Sequence, residues 1–381
     1  MKRIFLLAVC AFFVSSAFAG DLKFMVSEEL SYDDNIYLTD GNEKDSFISS
    51  TQAGIAYKNP IAGTGLNLSA TGMGGYNAYT EKNSKNGFWN GYADVNLSND
   101  LVRIGDSFLY TSDPANSELT QRAKRYNNNA YLSARTSREK MFGVGVTANY
   151  SYDHYIDKDY SKLNRARLNA GAQVFWNISA KTSAFVEYVY TNIDYEHRTD
   201  GNLGGSFNNS HGDILAVGID GKIAPKIDGI AKLTYTMRDY GVDAPNYSSY
   251  EDLLGYYVAL EWNPTAKNKI RLSGERKFEE TAYDNNRYFA DTLVSLYGSH
   301  KLNDKLTLGL TLAYENMDYS RENNQGVKRN DDLYTVRPNI DYQFKEWLSA
   351  GIWYQWRTRN SNVRGADYDS NKAGVFVKAI F

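Results

Sequence analysis

The feature that most constrains this chain is a strict alternation of apolar and polar side chains, repeated in segments of roughly ten to thirteen residues along its length. Phe142, Val144, Val146, Ala148, Tyr150 and Tyr152 alternate with Gly143, Gly145, Thr147, Asn149, Ser151 and Asp153. Leu306, Leu308, Leu310, Leu312 and Tyr314 alternate with Thr307, Gly309, Thr311, Ala313 and Glu315. Period two is the signature of a strand with two unlike faces, one greasy and one small or polar. A soluble sandwich would alternate in the same way, so the choice of architecture falls to the connections.

The connections come in two kinds that take turns. Short ones fall at Pro60 to Gly63, Asn99-Asp100, Ser137 to Lys140, Ser179 to Lys181, Ala224 to Lys226, Asn263 to Lys267, Asn303 to Lys305 and Lys345-Glu346. Between them lie longer polar loops at Thr39 to Asp45, Thr80 to Gly87, Asp113 to Arg125, Asp157 to Asn164, Glu196 to Ser210, Gly241 to Tyr250, Thr281 to Asn286, Ser320 to Asp331 and Asn360 to Asp367. Tight turns at one rim and long loops at the other predict an all-β, transmembrane, antiparallel up-and-down β-barrel. With both termini on the short-turn side the count is about 18 strands, and 16 also fits the pattern.

Composition agrees with a wet lumen and an apolar outer wall. Mean hydropathy is −0.53, too polar for a soluble domain of this size with one large interior core. Aromatics make up 14% of the 381 residues, with 31 tyrosines and 30 glycines, a loading that suits strands. The net charge of −3 gives no electrostatic case for nucleic acid as a partner. At the N-terminus, Lys2 and Arg3, an apolar block from Ile4 to Val14, and Ala17-Phe18-Ala19 before Gly20 form a secretory signal peptide over residues 1–19, cleaved near Ala19, with the barrel over 20–381. The only cysteine, Cys10, lies inside that signal, and Val9 before it stands where a lipoprotein acylation site wants a small residue. The mature chain therefore has no disulfide and no thiolate metal site.

The last strand places Ala373, Val375, Val377, Ala379 and Phe381 on one face and ends on the aromatic. That ending resembles the signal by which the barrel-assembly machinery of Gram-negative bacteria recognises its clients, with Ala379 smaller than the strongest form. Tyr57, Trp89, Tyr110, Trp176, Trp262, Trp347 and Trp356 sit near strand ends, where a girdle at the lipid headgroups would put them.

Parity assigns the charged residues of the opposite face to the lumen. The basic candidates are Arg103, Arg135, Arg165, Arg167, Lys232, Arg238, Arg271, Lys277, Arg337, Arg357 and Arg359; the acidic ones are Asp94, Glu187, Asp220, Glu261, Glu275 and Asp341. Their arginine-rich excess points to polar or anionic solutes, and the competing expectation is a salt-bridge lattice that stiffens or plugs the barrel. One strand groups Arg271, Ser273, Glu275, Lys277 and Glu279; another groups Trp353, Gln355, Arg357 and Arg359 on a wet face suited to stacking and forked hydrogen bonds with a solute.

No cofactor motif is present. Asp157, Asp159 and Ser161 open like a calcium loop, but Lys162 replaces the required glycine and Leu168 the bidentate glutamate. The histidines, His154, His197, His211 and His300, fall in loops or strand ends without a nucleophile-elbow, phosphate-loop or paired-His pattern. Asp153-His154 near a rim is the one pair that could serve acid-base chemistry, with no second acidic pair to match it, so the chain reads as a non-enzyme.

From Ser31 to Leu38 the chain reads SYDDNIYL and continues to Asp45-Ser46-Phe47-Ile48-Ser49. This is similar to the opening of the putative outer-membrane β-barrel porin family 2, whose first hairpin carries a Tyr-Asp-Asp-Asn motif and an Asp-Phe-Ile-type second strand. Gln52 and Ala53 stand where that family usually has a proline. The resemblance implies a porin-like channel in the outer membrane of a Gram-negative bacterium, linked to exopolysaccharide export. A closed structural or surface-binding barrel acting through its long loops is the alternative. Read on its own, Asp33-Asp34-Asn35 predicts a hydrogen-bonded turn or bulge at the loop-side end of the first strand.

Overall fold

A computed structural model of the chain describes residues 20–196, 209–241, 248–282, 286–323 and 326–381. The strands begin with β1 (Asp21–Asp33), β2 (Ser46–Ile61), β3 (Leu66–Tyr79), β4 (Phe88–Ser98), β5 (Val102–Thr111) and β6 (Arg125–Arg135). They continue through β7 (Phe142–Tyr155), β8 (Arg165–Ser179), β9 (Thr182–Tyr195), β10 (Ser210–Ala224), β11 (Ile227–Asp239) and β12 (Tyr250–Thr265). The last six are β13 (Asn268–Glu280), β14 (Tyr288–Lys301), β15 (Leu306–Glu322), β16 (Lys328–Lys345), β17 (Leu348–Ser361) and β18 (Tyr368–Ile380). Each strand pairs antiparallel with its sequence neighbours, and β1 pairs with both β2 and β18, so the 18-stranded sheet closes into a barrel. Closure leaves no sheet edge with unpaired backbone groups, the condition for a sheet to lie in lipid. Two main-chain bonds between Phe24 and Phe381, 2.9 and 3.0 Å long, seal the short-turn rim.

Alternation sorts the side chains as a bilayer requires. Val144, Val174, Val186, Val217, Leu233 and Leu254 are all more than half exposed, on the outer face. Trp89, 67% exposed, and Trp176, 52% exposed, stand outward near strand ends. A soluble protein does not leave such a continuous apolar belt in water. Among the described residues no helix is long and apolar enough to cross a membrane, and the helical pieces there are two short segments, Asn83–Asn86 and Lys158–Leu163.

Two features of the long-loop rim differ from the alternation pattern. Residues Ser320 to Glu322 and Lys328 to Asp331 belong to β15 and β16 and not to a loop, because the hairpin rises past the belt. Beyond the bilayer both faces of a strand are polar, so hydropathy no longer separates strand from loop. Second, the ladder between β12 and β13 stops at Tyr256 opposite Arg276, whereas β13 and β14 stay paired up to Glu280 opposite Tyr288. Freed from β12, the top of the β13–β14 hairpin bears inward. Residues 1–19, where the sequence predicts a signal peptide, lie outside the described residues, as do His197 and most of the loop from Glu196 to Ser210.

The Asp-Asp-Asn segment forms the expected hydrogen-bonded turn. The Asn35 amide donates to Asp33 Oδ1, and the Asn35 side chain bonds the carbonyls of Thr39 and Asp369, tying the β1–β2 loop to β18. Ile36 in that loop is buried with Ile48, Tyr79 and Phe88, a small apolar core under the rim.

Candidate functional site

The loop after β5, residues 112–124, leaves the rim and crosses the lumen. Its return end is held near its origin: the Arg122 guanidinium lies 4.6 Å from the Tyr79 ring centre and 5.5 Å from that of Phe88, and Arg125 Nε donates to the Asp113 carbonyl. Its tip is held by the far wall. Ser117 Oγ donates to Glu315 of β15 at 2.7 Å and accepts from Arg357 of β17 at 3.3 Å, while Arg359 donates to the Ser117 carbonyl. Glu118, 1% exposed, accepts from the Thr281 hydroxyl, the Ala282 amide at 2.8 Å and the Tyr319 hydroxyl at 3.0 Å. Burial pushes the Glu118 carboxyl above its ordinary value, against the opposing pull of those three donors and Arg329. A loop anchored at β3–β6 and docked on β13–β17 divides the cross-section of the barrel.

Charged side chains on the docked side are mostly neutralised in place. Arg165 and Arg167 of β8 and Arg238 of β11 converge on Glu280, which is 3% exposed at the inward-bearing end of β13. Arg165 also lies 3.5 Å from Asp153 and 3.6 Å from Glu279. Toward the short-turn rim, Arg135 and Arg138 share Asp220 at 2.8 and 2.7 Å, Lys232 binds Glu187, and Arg271 binds Glu261 at 2.8 Å. Lys277 binds Glu275 at 2.8 Å. Asp94 accepts from Tyr131 and Asn96, and Asp341 accepts from Asn339.

A second set of cations has no carboxylate partner among the described residues. Arg337 of β16 stacks at 4.4 Å on the Trp353 ring, and Lys372 of β18 lies 5.8 Å from the same ring. The Trp353 indole N–H reaches Glu29 of β1 at 3.2 Å. Arg357 contacts Ser117, and both Arg357 and Arg359 stand over Tyr368. Arg103 rests 5.0 Å from the Tyr131 ring. Beside the loop, on the wall from β18 through β5, a cavity of about 550 Å³ stays open, lined by Ser27, Gln52, Asn77, Asn90, Asp113 and Lys378 among others.

Several sequence expectations change at this level. Trp353 is not on an open wet face: it is 8% exposed beneath Arg337 and Lys372. Arg357 of the β17 cluster reaches β15 through Ser117 and Glu315, whereas Arg271 of the β13 cluster pairs with Glu261 of β12. Asp153 and His154 do not form an acid-base pair. As neighbours in one strand they point to opposite faces, Asp153 to Arg165 and His154 to Tyr152, Asn164 and Glu196. Asp157, already excluded as the head of a calcium loop, accepts the Lys124 amide. Ser117, Glu118 and Glu280 were invisible to parity: two sit in a polar loop, and Glu280 shares its register with outward-facing Leu272 until β13 leaves β12.

The sequence matches the family described as putative beta-barrel porin 2 over residues 22–381. No curated protein matches it. Among solved structures it is similar in fold to the outer membrane protein OpdK of Pseudomonas aeruginosa, at 7% identity and TM-score 0.53, covering 95% of this chain and 99% of that one. The structure of OpdK with vanillate gives 8% identity and TM-score 0.54 over the same shares, and OpdL of the same organism 10% and 0.50.

Proposed function

Because the chain belongs to the putative beta-barrel porin 2 family, we propose that it is a passive channel of the Gram-negative outer membrane for small polar solutes, with anions favoured over cations. The observation that carries this reading is the polar-lined space of about 550 Å³ that remains in the lumen beside the docked loop. Side chains that filled the lumen completely would leave no such space. The preference for anions rests on Arg337, Lys372 and Arg357, which form no ion pair among the described residues and whose charge so acts on a passing ion. The Arg165–Arg167–Arg238–Glu280 knot and the Arg135–Asp220 pair serve as the stiffening lattice of the opposite wall.

A second reading, passage of a hydroxyl-rich glycan, draws on the amide row Gln52, Asn77 and Asn90 along the open side. Planar-bilayer recording of the purified protein in a salt gradient tests both. The expected result is a steady conductance with a reversal potential set by the anion, reduced by an added oligosaccharide only if the glycan reading holds. Conductance no greater than that of bare lipid would overturn the channel.

A further inference from the structure

Next to the loop tip the lumen carries four carboxylates and one lysine on a single face. Lys277 of β13 stands opposite Asp291 of β14; Glu275 stands opposite Leu293, which in turn faces Glu315 of β15. Lys277 is already engaged, 2.8 Å from Glu275 and 3.7 Å from Glu279, and Glu315 accepts from Ser117. Asp291 is different. It is only 8% exposed, and its Oδ1 is buried with no hydrogen-bond partner, nor does Asp291 form an ion pair among the described residues. A buried carboxylate without a donor is strongly disfavoured, so the site is incomplete as the chain alone builds it.

What completes it is a cation that brings several N–H donors. No three carboxylate or imidazole groups among the described residues converge closely enough to cage a metal ion. An organic ammonium is larger and donates three hydrogen bonds at wider spacing. The approach is from the lumen, over Lys277, whose side chain is 45% exposed. We infer that Asp291, with Glu275 and Glu315 beside it, receives the primary ammonium group of a permeating solute. Ser117 joins Glu315, beside Asp291, to Arg357 on the next side of the lumen. The class is therefore the small solute that carries a primary amine. This inference rests on the channel reading above.

The test is block of the salt current by 4-aminobutyrate compared with butyrate, which lacks the amine. Wild-type protein is expected to be half-blocked by 4-aminobutyrate at a lower concentration than by butyrate. Asp291→Asn, which removes a buried charge and keeps the shape, should raise the 4-aminobutyrate value about tenfold, the loss of one charge-assisted hydrogen bond, and leave the butyrate value unchanged. Glu275→Gln, on the accessible side of the cluster, should shift it in the same direction and serves if Asp291→Asn does not assemble. A conducting protein that does not distinguish the two solutes, or whose ratio is unmoved in both variants, overturns the ammonium site and leaves the channel standing. Absence of any current overturns the channel reading itself.

Discussion

Replacing Glu118 by alanine should release the loop that narrows the barrel. The carboxylate accepts three hydrogen bonds from the far wall, from Thr281, Ala282 and Tyr319. A bond to a charged group contributes about 1.5–3 kcal/mol net, and a buried donor left without a partner costs about 1–3 kcal/mol. These terms overlap, and relief from burying the Glu118 charge offsets part of them. A net loss of about 3 kcal/mol is the consistent figure, which moves the docked-to-released ratio by somewhat more than a hundredfold at about 1.4 kcal/mol per factor of ten. The bonds made by Ser117 remain, so the loop should fluctuate rather than stay detached. In single-channel recordings Glu118→Ala should show a second, larger conductance level and excess current noise absent from the wild type. Glu118→Gln, which retains one acceptor oxygen but turns an amide N–H toward the Ala282 amide, should fall between them. Conductance and noise identical to wild type in the alanine variant would refute the idea that this carboxylate holds the constriction.

Further outcomes follow from the same contacts. Because burial raises the Glu118 carboxyl above its ordinary 4.5, protonation favours docking: its contribution is complete below about pH 4.5 and is lost as pH rises through the raised value, so openings of the wild type should become more frequent in that direction while Glu118→Gln stays flat. Arg337→Gln should lower the anion-to-cation permeability ratio by about thirtyfold, since one unit charge at about 4 Å in water attracts the anion by ~1 kcal/mol and repels the cation by as much, read from the reversal potential. Deleting Phe381 removes its stacking on Trp347, 5.4 Å between ring centres, and both main-chain bonds to Phe24. The fraction of heat-modifiable, assembled barrel on a gel should fall.

The barrel was legible because lipid imposes a simple rule: where one face of a strand meets hydrocarbon, alternation is enforced residue by residue, as in Leu306 to Tyr314. Above the belt that enforcement ends, and there the boundaries of β15 and β16 escaped the pattern. Parity sets a side chain's face but not its partner across the lumen. Arg135 and Asp220 are 85 positions apart, and no local signal joins them. The constriction was hidden for a related reason. Nothing in the composition of residues 112–124 distinguishes a loop that crosses the lumen from one that lies in water; the distinction is made by the far-wall groups that receive Ser117 and Glu118.

The central claim is an open path on the β18–β5 side of a lumen narrowed by the loop at 112–124. Cysteine accessibility tests it directly, since the only native cysteine is Cys10. A cysteine at Asn90, on the open side, should let a charged methanethiosulfonate reagent cut the single-channel current, whereas one at Met317, 0% exposed beside Tyr319 under the docked loop, should leave it unchanged. Block at Met317 without block at Asn90 would contradict the account.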